Sequence, residues 1–310
     1  VIEKAIRGSA PAQINVPRDY WTQVIDIELP PIVRFERQGG GKDAIERAAK
    51  MLSDAKFPVI LSGAGVVIGD AINECKNLAE KLDAPVCNGY QHNDSFPGSH
   101  PLAVGPLGYN GSKAAMQLIS KADVVLALGT RLNPFSTLPG YGIDYWPKDA
   151  SIIQVDMNPD RIGLTKKVTV GIEGDAKQVA KQILDKLSSN AGDIGREDRK
   201  NLIHQTKSAW LQTLTSLDHE DDDPGTVWNK EARERDKDRM SPRQAWRAIQ
   251  DALPQDAIIS SDIGNNCAIG NAYPTFEKPR KYLAPGLFGP CGYGFPAILG
   301  AKIGCPDIPV

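Results

Sequence analysis

Two junctions between residues 257 and 302 hold the residue types from which an anion-binding site can be built. Residues 257–261, AIISS, have the apolar run of a short buried strand, and they open into Asp262-Ile263-Gly264-Asn265-Asn266. A loop of small and amide-bearing side chains can wrap a phosphate. Further on, Gly286, Gly289, Gly292 and Gly294 surround Pro290-Cys291, and residues 295–302 begin a helix with Pro296 near its first turn. Glycines let a ligand approach the backbone closely. Singly, each junction is an ordinary turn at the carboxyl end of a strand in an α/β sheet; the pair is far more specific.

Other catalytic arrangements find no support. His92, His100, His204 and His219 share no spacing, and His92 and His100 sit in a Gly/Pro-rich loop where polar side chains are expected to be solvated. Ser62 lacks the preceding glycine of a nucleophile elbow. Asp221, Asp222 and Asp223 lack the alternating ligands of a calcium loop. Gly63-Ala64-Gly65 through Gly69 misses the dinucleotide fingerprint by one residue, and no carboxylate follows at 86–89, so NAD is not expected.

The elements that must position the two junctions follow from periodicity. A helix begins at Lys42 with Ile45, Ala48, Ala49 and Leu52 on one face, and strands are expected at 58–62, 84–87, 123–128 and 151–155. Helical faces lie between them at 71–82 and 116–121. Asp175 caps a last helix whose inner face is Ala176, Val179, Ala180, Ile183, Leu184 and Leu187. Alternating strands and helices over 61–187 predict a doubly wound parallel sheet with helices on both faces. Upstream, residues 12–19 read as a strand stopped by proline and 21–41 as an extended linker with Pro30-Pro31. Downstream, Trp210, Leu211, Leu214 and Leu217 suggest an amphipathic helix, a charged solvated run follows to Arg239, and Ser241-Pro242 starts a helix that buries Ala245, Trp246, Ile249 and Leu253.

With 310 residues, 41% hydrophobic and 24% charged, the chain is long enough for about two globular domains. A net charge of −2 gives no electrostatic reason to expect nucleic acid, and no apolar run approaches a membrane span. The five cysteines show no C-x-x-C pair, which fits a reducing cytoplasm.

Asp262-Ile263-Gly264 and Gly289-Pro290-Cys291-Gly292-Tyr293-Gly294 resemble the diphosphate-binding motifs of thiamine-diphosphate enzymes of the acetohydroxyacid synthase and pyruvate decarboxylase superfamily. Residues 61–70, Gly129-Thr130-Arg131 and Asp156-Met157-Asn158-Pro159 are similar to its middle domain, in which some members hold a non-catalytic nucleotide. The resemblance extends over the whole chain. SSDIGNN, GLFGPCGYGFP, HEDDDPGT and DRMSPRQAW are most similar to an acyltransferase branch that converts sulfoacetaldehyde and phosphate to acetyl phosphate and sulfite. It implies an α/β chain divided into the end of a pyrimidine-binding domain (1–20), a linker (21–41), a doubly wound middle domain (42–189), an interdomain segment (190–240) and the first part of a thiamine-diphosphate-binding domain (241–310). It further implies thiamine diphosphate and Mg2+ as cofactors, small-molecule substrates, and a homodimer or homotetramer. Cofactor contacts are implied for Asp262, Gly264, Asn265, Asn266, Gly289, Cys291 and Gly292. Among these, Cys291 stands where the family wedges a bulkier residue under the bent cofactor, Gly289 directs its carbonyl to the aminopyrimidine, and Asp262 orients the loop. The activating glutamate is expected before Val1 and the magnesium motif after Val310, so this stretch alone is expected to fold in its middle region and to be inactive. The rival expectations are an acetolactate synthase or 2-oxo acid decarboxylase, and a non-catalytic nucleotide-binding module.

Overall fold

The computed structural model describes residues 1–3, 5, 10–28, 31, 36–216, 239–286 and 288–310. The expectations for Pro30, Leu217, His219, the acidic run 220–223 and the charged residues up to 238 lie outside the described residues.

Six parallel strands form the main sheet: β1 (Pro58–Ser62), β2 (Val86–Asn88), β3 (Ala103–Pro106), β4 (Val124–Leu128), β5 (Ser151–Asp156) and β6 (Val170–Glu173), in the order β3-β2-β1-β4-β5-β6. β1 and β4 are buried at every position, as strands covered on both faces must be. The helices of this unit are α1 (Lys42–Asp54), α2 (Ala64–Ile68), α3 (Ile72–Leu82), α4 (Lys113–Ile119), α5 (Ala176–Lys186) and α6 (Arg196–Ser216). α5 packs on both α1 and α3, whereas α4 packs on α6. The strand order reverses between β1 and β4, and right-handed crossovers therefore put α3 and α4 on opposite faces. The doubly wound sheet anticipated from periodicity is present.

Asp175 caps α5 as its position suggested, its carboxylate accepting from the N–H groups of Lys177 and Gln178. The same carboxylate takes Arg37 Nη1 at 3.0 Å, which ties the chain entering α1 to the start of α5.

Several expectations need correction. Residues 11–17 form no strand: Ile14 and Val16 are exposed, no strand among the described residues pairs with them, and Pro17 leads into a short 3-10 helix, Arg18–Thr22. Strand 84–87 is shifted to Val86–Asn88. β3 and β6 were not anticipated, because each is a four-residue edge strand weakened in pattern by Gly105 and Pro106 or by Gly171. The helix expected around Trp210 begins at Arg196, and its early residue Arg199 is fully buried.

The C-terminal unit is smaller. It comprises α7 (Pro242–Ala252), β7 (Ile259–Ser260), α8 (Asn265–Ala272), β8 (Tyr282–Leu283) and α9 (Gly294–Gly304), with β7 and β8 parallel neighbours. Ser241 and Gln244 form the capping box at the start of α7 that Ser-Pro predicted. No α7 residue is buried, however, contrary to expectation for Ala245, Trp246 and Ile249, and Leu253 is half-buried. A two-stranded ladder presents too little apolar surface to cover a helix face.

Candidate functional site

Asp262 lies two residues beyond β7, and the glycine-rich loop follows β8, so both junctions lie at carboxyl ends of adjacent strands. The Asp262 carboxylate joins them. Oδ1 accepts from its neighbour Ile263 N at 2.7 Å and from Gly292 N at 3.1 Å, and Oδ2 accepts from Gly294 N at 3.0 Å. Gly294 is the first residue of α9, so the acid also caps that helix. Backbone N–H groups, those of Gly294 and Ile263 foremost, hold the Asp262 carboxyl below the usual carboxylate range.

α8 starts differently. Its N-cap is Gly264, at φ 88° and ψ −145°, a conformation that an L side chain resists, and no side chain caps the helix. The first-turn N–H groups, those of Asn265 and Asn266 among them, have no intrahelical partner and carry the positive end of the helix dipole. Gly264, Asn265 and Asn266 are all exposed. Across the junction, Gly289 at φ 62° rests against Ile263, while Gly292 at φ 84° faces open space. Between them the thiol of Cys291 is free and exposed.

This donor set fits a diphosphate. It offers an uncapped helix N-terminus, two amide side chains, and empty space where a Cβ would stand at Gly264 or Gly292. The one carboxylate between the loops is already committed to N–H groups. Thus the structure brings Asp262, Gly264, Asn265, Asn266, Gly289, Cys291 and Gly292 together at one sheet end. A cleft of about 820 Å3 elsewhere, between α6, β3 and the turn after α8, contains none of them. Among the described residues, no group of three His, Cys, Asp or Glu side chains is placed to hold a metal ion. No helix there is long and apolar enough to cross a membrane.

Two matches decide the family. The central domain of thiamine pyrophosphate enzymes matches residues 45–183, and their C-terminal TPP binding domain matches 262–310, together more than half of the chain. The chain belongs to the thiamine pyrophosphate enzymes. Over all of its 310 residues it is 79% identical to a "Probable sulfoacetaldehyde acetyltransferase" of Rhizobium meliloti and 76% identical to a "Sulfoacetaldehyde acetyltransferase" of Roseovarius nubinhibens, covering 52% and 51% of those proteins. It is 30% identical to an "Acetolactate synthase large subunit" of Corynebacterium glutamicum over 98% of the chain and 46% of that protein. The chain therefore spans about half the length of the curated relatives it matches. In this family the Gly63–Ile68 turn belongs to the central domain, and Ser62 is structural, exchanging hydrogen bonds with Ser95 through Ser62 Oγ to Ser95 O and Ser95 Oγ to Ser62 O.

The loop after β2 departs from expectation. Gln91, Asn93, Asp94 and Ser95 are buried rather than solvated, because the C-terminal unit packs over them. Burial, reinforced by the Arg131 guanidinium, pushes His92 down to about 4, so the imidazole is neutral at pH 7. Its folded pKa lies below the unfolded value of about 6.5. The associated stability is complete above that value and is lost as pH falls toward 4. His92 is half-buried, so the slope should stay under the limit of about 1.4 kcal/mol per pH unit. Urea midpoints measured between pH 7 and 4.5 should fall for the wild type and fall less for His92→Asn. Parallel curves would remove His92 as the cause.

Proposed function

We propose that the protein containing this chain uses thiamine diphosphate and Mg2+ to convert sulfoacetaldehyde and phosphate to acetyl phosphate and sulfite. The observation that carries the cofactor site is the Asp262 carboxylate bridging Gly292 and Gly294, which sets the uncapped start of α8 beside the glycine loop. The choice of substrate is supported by the contrast between 79% and 76% identity to the acetyltransferases and 30% identity to the acetolactate synthase.

Bound thiamine diphosphate supplies a carbon nucleophile that attacks a carbonyl and then accommodates negative charge. The protein's share is placement. Asn265 and Asn266, with the first-turn N–H groups of α8, would receive the diphosphate; Gly264 and Gly292 would let it approach the backbone. Asp262, an anion itself, would position these loops and leave the diphosphate to the N–H dipoles. Gly289 would turn its carbonyl to the aminopyrimidine, and Cys291 would support the bent cofactor. Mg2+ would be held by residues other than these seven, and the activating carboxylate likewise lies outside them.

In cells we assign the reaction to the catabolism of taurine and related sulfonates, carried out in the cytoplasm by a homodimer or homotetramer. All five cysteines are free, as a reducing compartment requires. In domain terms we read 42–189 as the middle domain and 241–310 as part of the diphosphate-binding domain, with 1–20, 21–41 and 190–240 as the pyrimidine-domain end, the linker and the interdomain segment. The full-length protein, given thiamine diphosphate, Mg2+ and phosphate, should release sulfite from sulfoacetaldehyde in step with acetyl phosphate. Carbon dioxide from pyruvate without sulfite release would instead mark a 2-oxo acid enzyme, and nucleotide binding without turnover a binding module.

A further inference from the structure

The side chains of Tyr90, Gln91 and Asn93 in the main-sheet unit and of Cys267 and Asn271 in α8 form a buried polar junction that neither cofactor loop contains. Gln91 holds φ 61°, a left-handed conformation that costs a non-glycine residue strain and persists only where neighbours over-determine it. Here they do. Gln91 N–H donates to Asn271 Oδ1 at 2.8 Å, and Asn271 Nδ2 donates to Tyr109 O at 2.9 Å. Asn93 Nδ2 donates to Asn271 O at 3.0 Å and Pro274 O at 2.9 Å. Asn271 is wholly buried and sits in the last turn of α8. At the other end of that helix, Cys267 Sγ contacts Gln91 Nε2 and lies 3.2 Å from Tyr90 Oη. Cys267 directly follows Asn266.

The same loop also fixes the second strand. Asp94 Oδ2 accepts from Lys281 N at 3.1 Å and Tyr282 N at 3.4 Å, where β8 begins. β8 leads to Gly289 and Gly292. One loop on the main sheet therefore grips both elements that deliver the candidate cofactor contacts: α8 along its length, and β8 at its start.

We propose that the 90–94 loop, locked by Asn271, positions the cofactor loops of the C-terminal unit, so that the start of α8 is pre-set for the diphosphate by the main sheet. The proposal rests on the thiamine-diphosphate reading above. Asn271 and Gln91 are positioning residues, since neither belongs to the loops assigned to the cofactor. A helix fixed at both ends keeps its N–H groups aimed without the ligand's binding energy being spent on ordering them.

The test uses the full-length protein and three variants, with thiamine diphosphate plus Mg2+ titrated calorimetrically and the melting temperature of the cofactor-free protein recorded beside it. Asn271→Ala strands the Gln91 N–H and the Tyr109 carbonyl and should weaken cofactor binding by about tenfold or more. Gln91→Gly removes the contact with Cys267 but suits the left-handed backbone, so it should fold readily and still weaken binding by about threefold. Ser99→Ala is the control: it cuts the exposed Ser99 Oγ to Glu277 contact between the same two units, away from α8, and should leave the affinity unchanged. At saturating cofactor, KM for sulfoacetaldehyde should stay within twofold in all three. Lower melting temperatures with wild-type cofactor affinity in both Asn271→Ala and Gln91→Gly would reduce the junction to packing and overturn the proposal. Should Asn271→Ala not fold, Gln91→Gly decides alone. A wild type that binds no thiamine diphosphate would overturn the cofactor reading and this inference with it, an outcome separate from variants that bind as the wild type does.

Discussion

Arg199→Ala is expected to destabilise the main-sheet unit by about 3–5 kcal/mol, the largest loss for any single polar side chain in it. The guanidinium is 1% exposed. Each of its N–H groups has a backbone carbonyl: Nε donates to Asp83 O, Nη1 to Lys56 O and Ile194 O, and Nη2 to Leu82 O and Gly192 O, at 2.6–3.0 Å. These carbonyls come from the end of α3, the approach to β1 and the turn before α6, three segments that Arg199 joins. Truncation leaves five acceptors around a cavity. Arg199→Lys should recover little, since an ammonium has three donors and no planar fork. Urea unfolding followed by circular dichroism measures the change. A loss below about 1 kcal/mol would mean that water replaces the guanidinium easily, and the junction would not be the staple described.

On the proposed role of Cys291, Cys291→Asp should lower kcat/KM for sulfite release by about 100-fold or more in the full-length protein, and Cys291→Met by less than tenfold. A carboxylate set against the cofactor rings loses solvation worth about 3 kcal/mol or more, which converts to that factor. It would also stand one residue from Gly292, whose N–H is already held by the Asp262 carboxylate, so two acids would crowd one loop. Methionine adds bulk without charge, and the open space beside Gly292 can take it. The thiol itself is exposed, so neither variant should shift the melting temperature of the cofactor-free protein by more than a degree or two. Equal activity of the two variants would place Cys291 away from the rings.

Local chemistry was legible in the chain. β1 falls at 58–62 as its apolar run announced, Asp175 and Ser241 cap the helices they precede, and the Asp-x-Gly and glycine-loop motifs mark the two junctions. These signals are short in range: a cap needs its own next three residues, and a strand covered on both faces needs an unbroken apolar run. The edge strands β3 and β6 carry no such signal, since pairing on one side alone lets glycine and proline enter them. Residues 12–17 show the converse, an alternating pattern that pairs with no described strand and stays irregular up to the 3-10 helix at Arg18.

What the tertiary structure decided is where polar residues are buried. Asn93, Asp94 and Arg199 have the composition of solvated loop and helix surface, and nothing adjacent in sequence marks them otherwise. Their partners lie far along the chain: Pro274 is 181 residues from Asn93, and Lys56 is 143 from Arg199. A buried donor is tolerated only where a carbonyl meets it, and that meeting exists only once the sheet has closed and the C-terminal unit has packed over the loop after β2. The motif for a diphosphate is thus written in consecutive residues, while the junction that holds the motif in place is written in the fold.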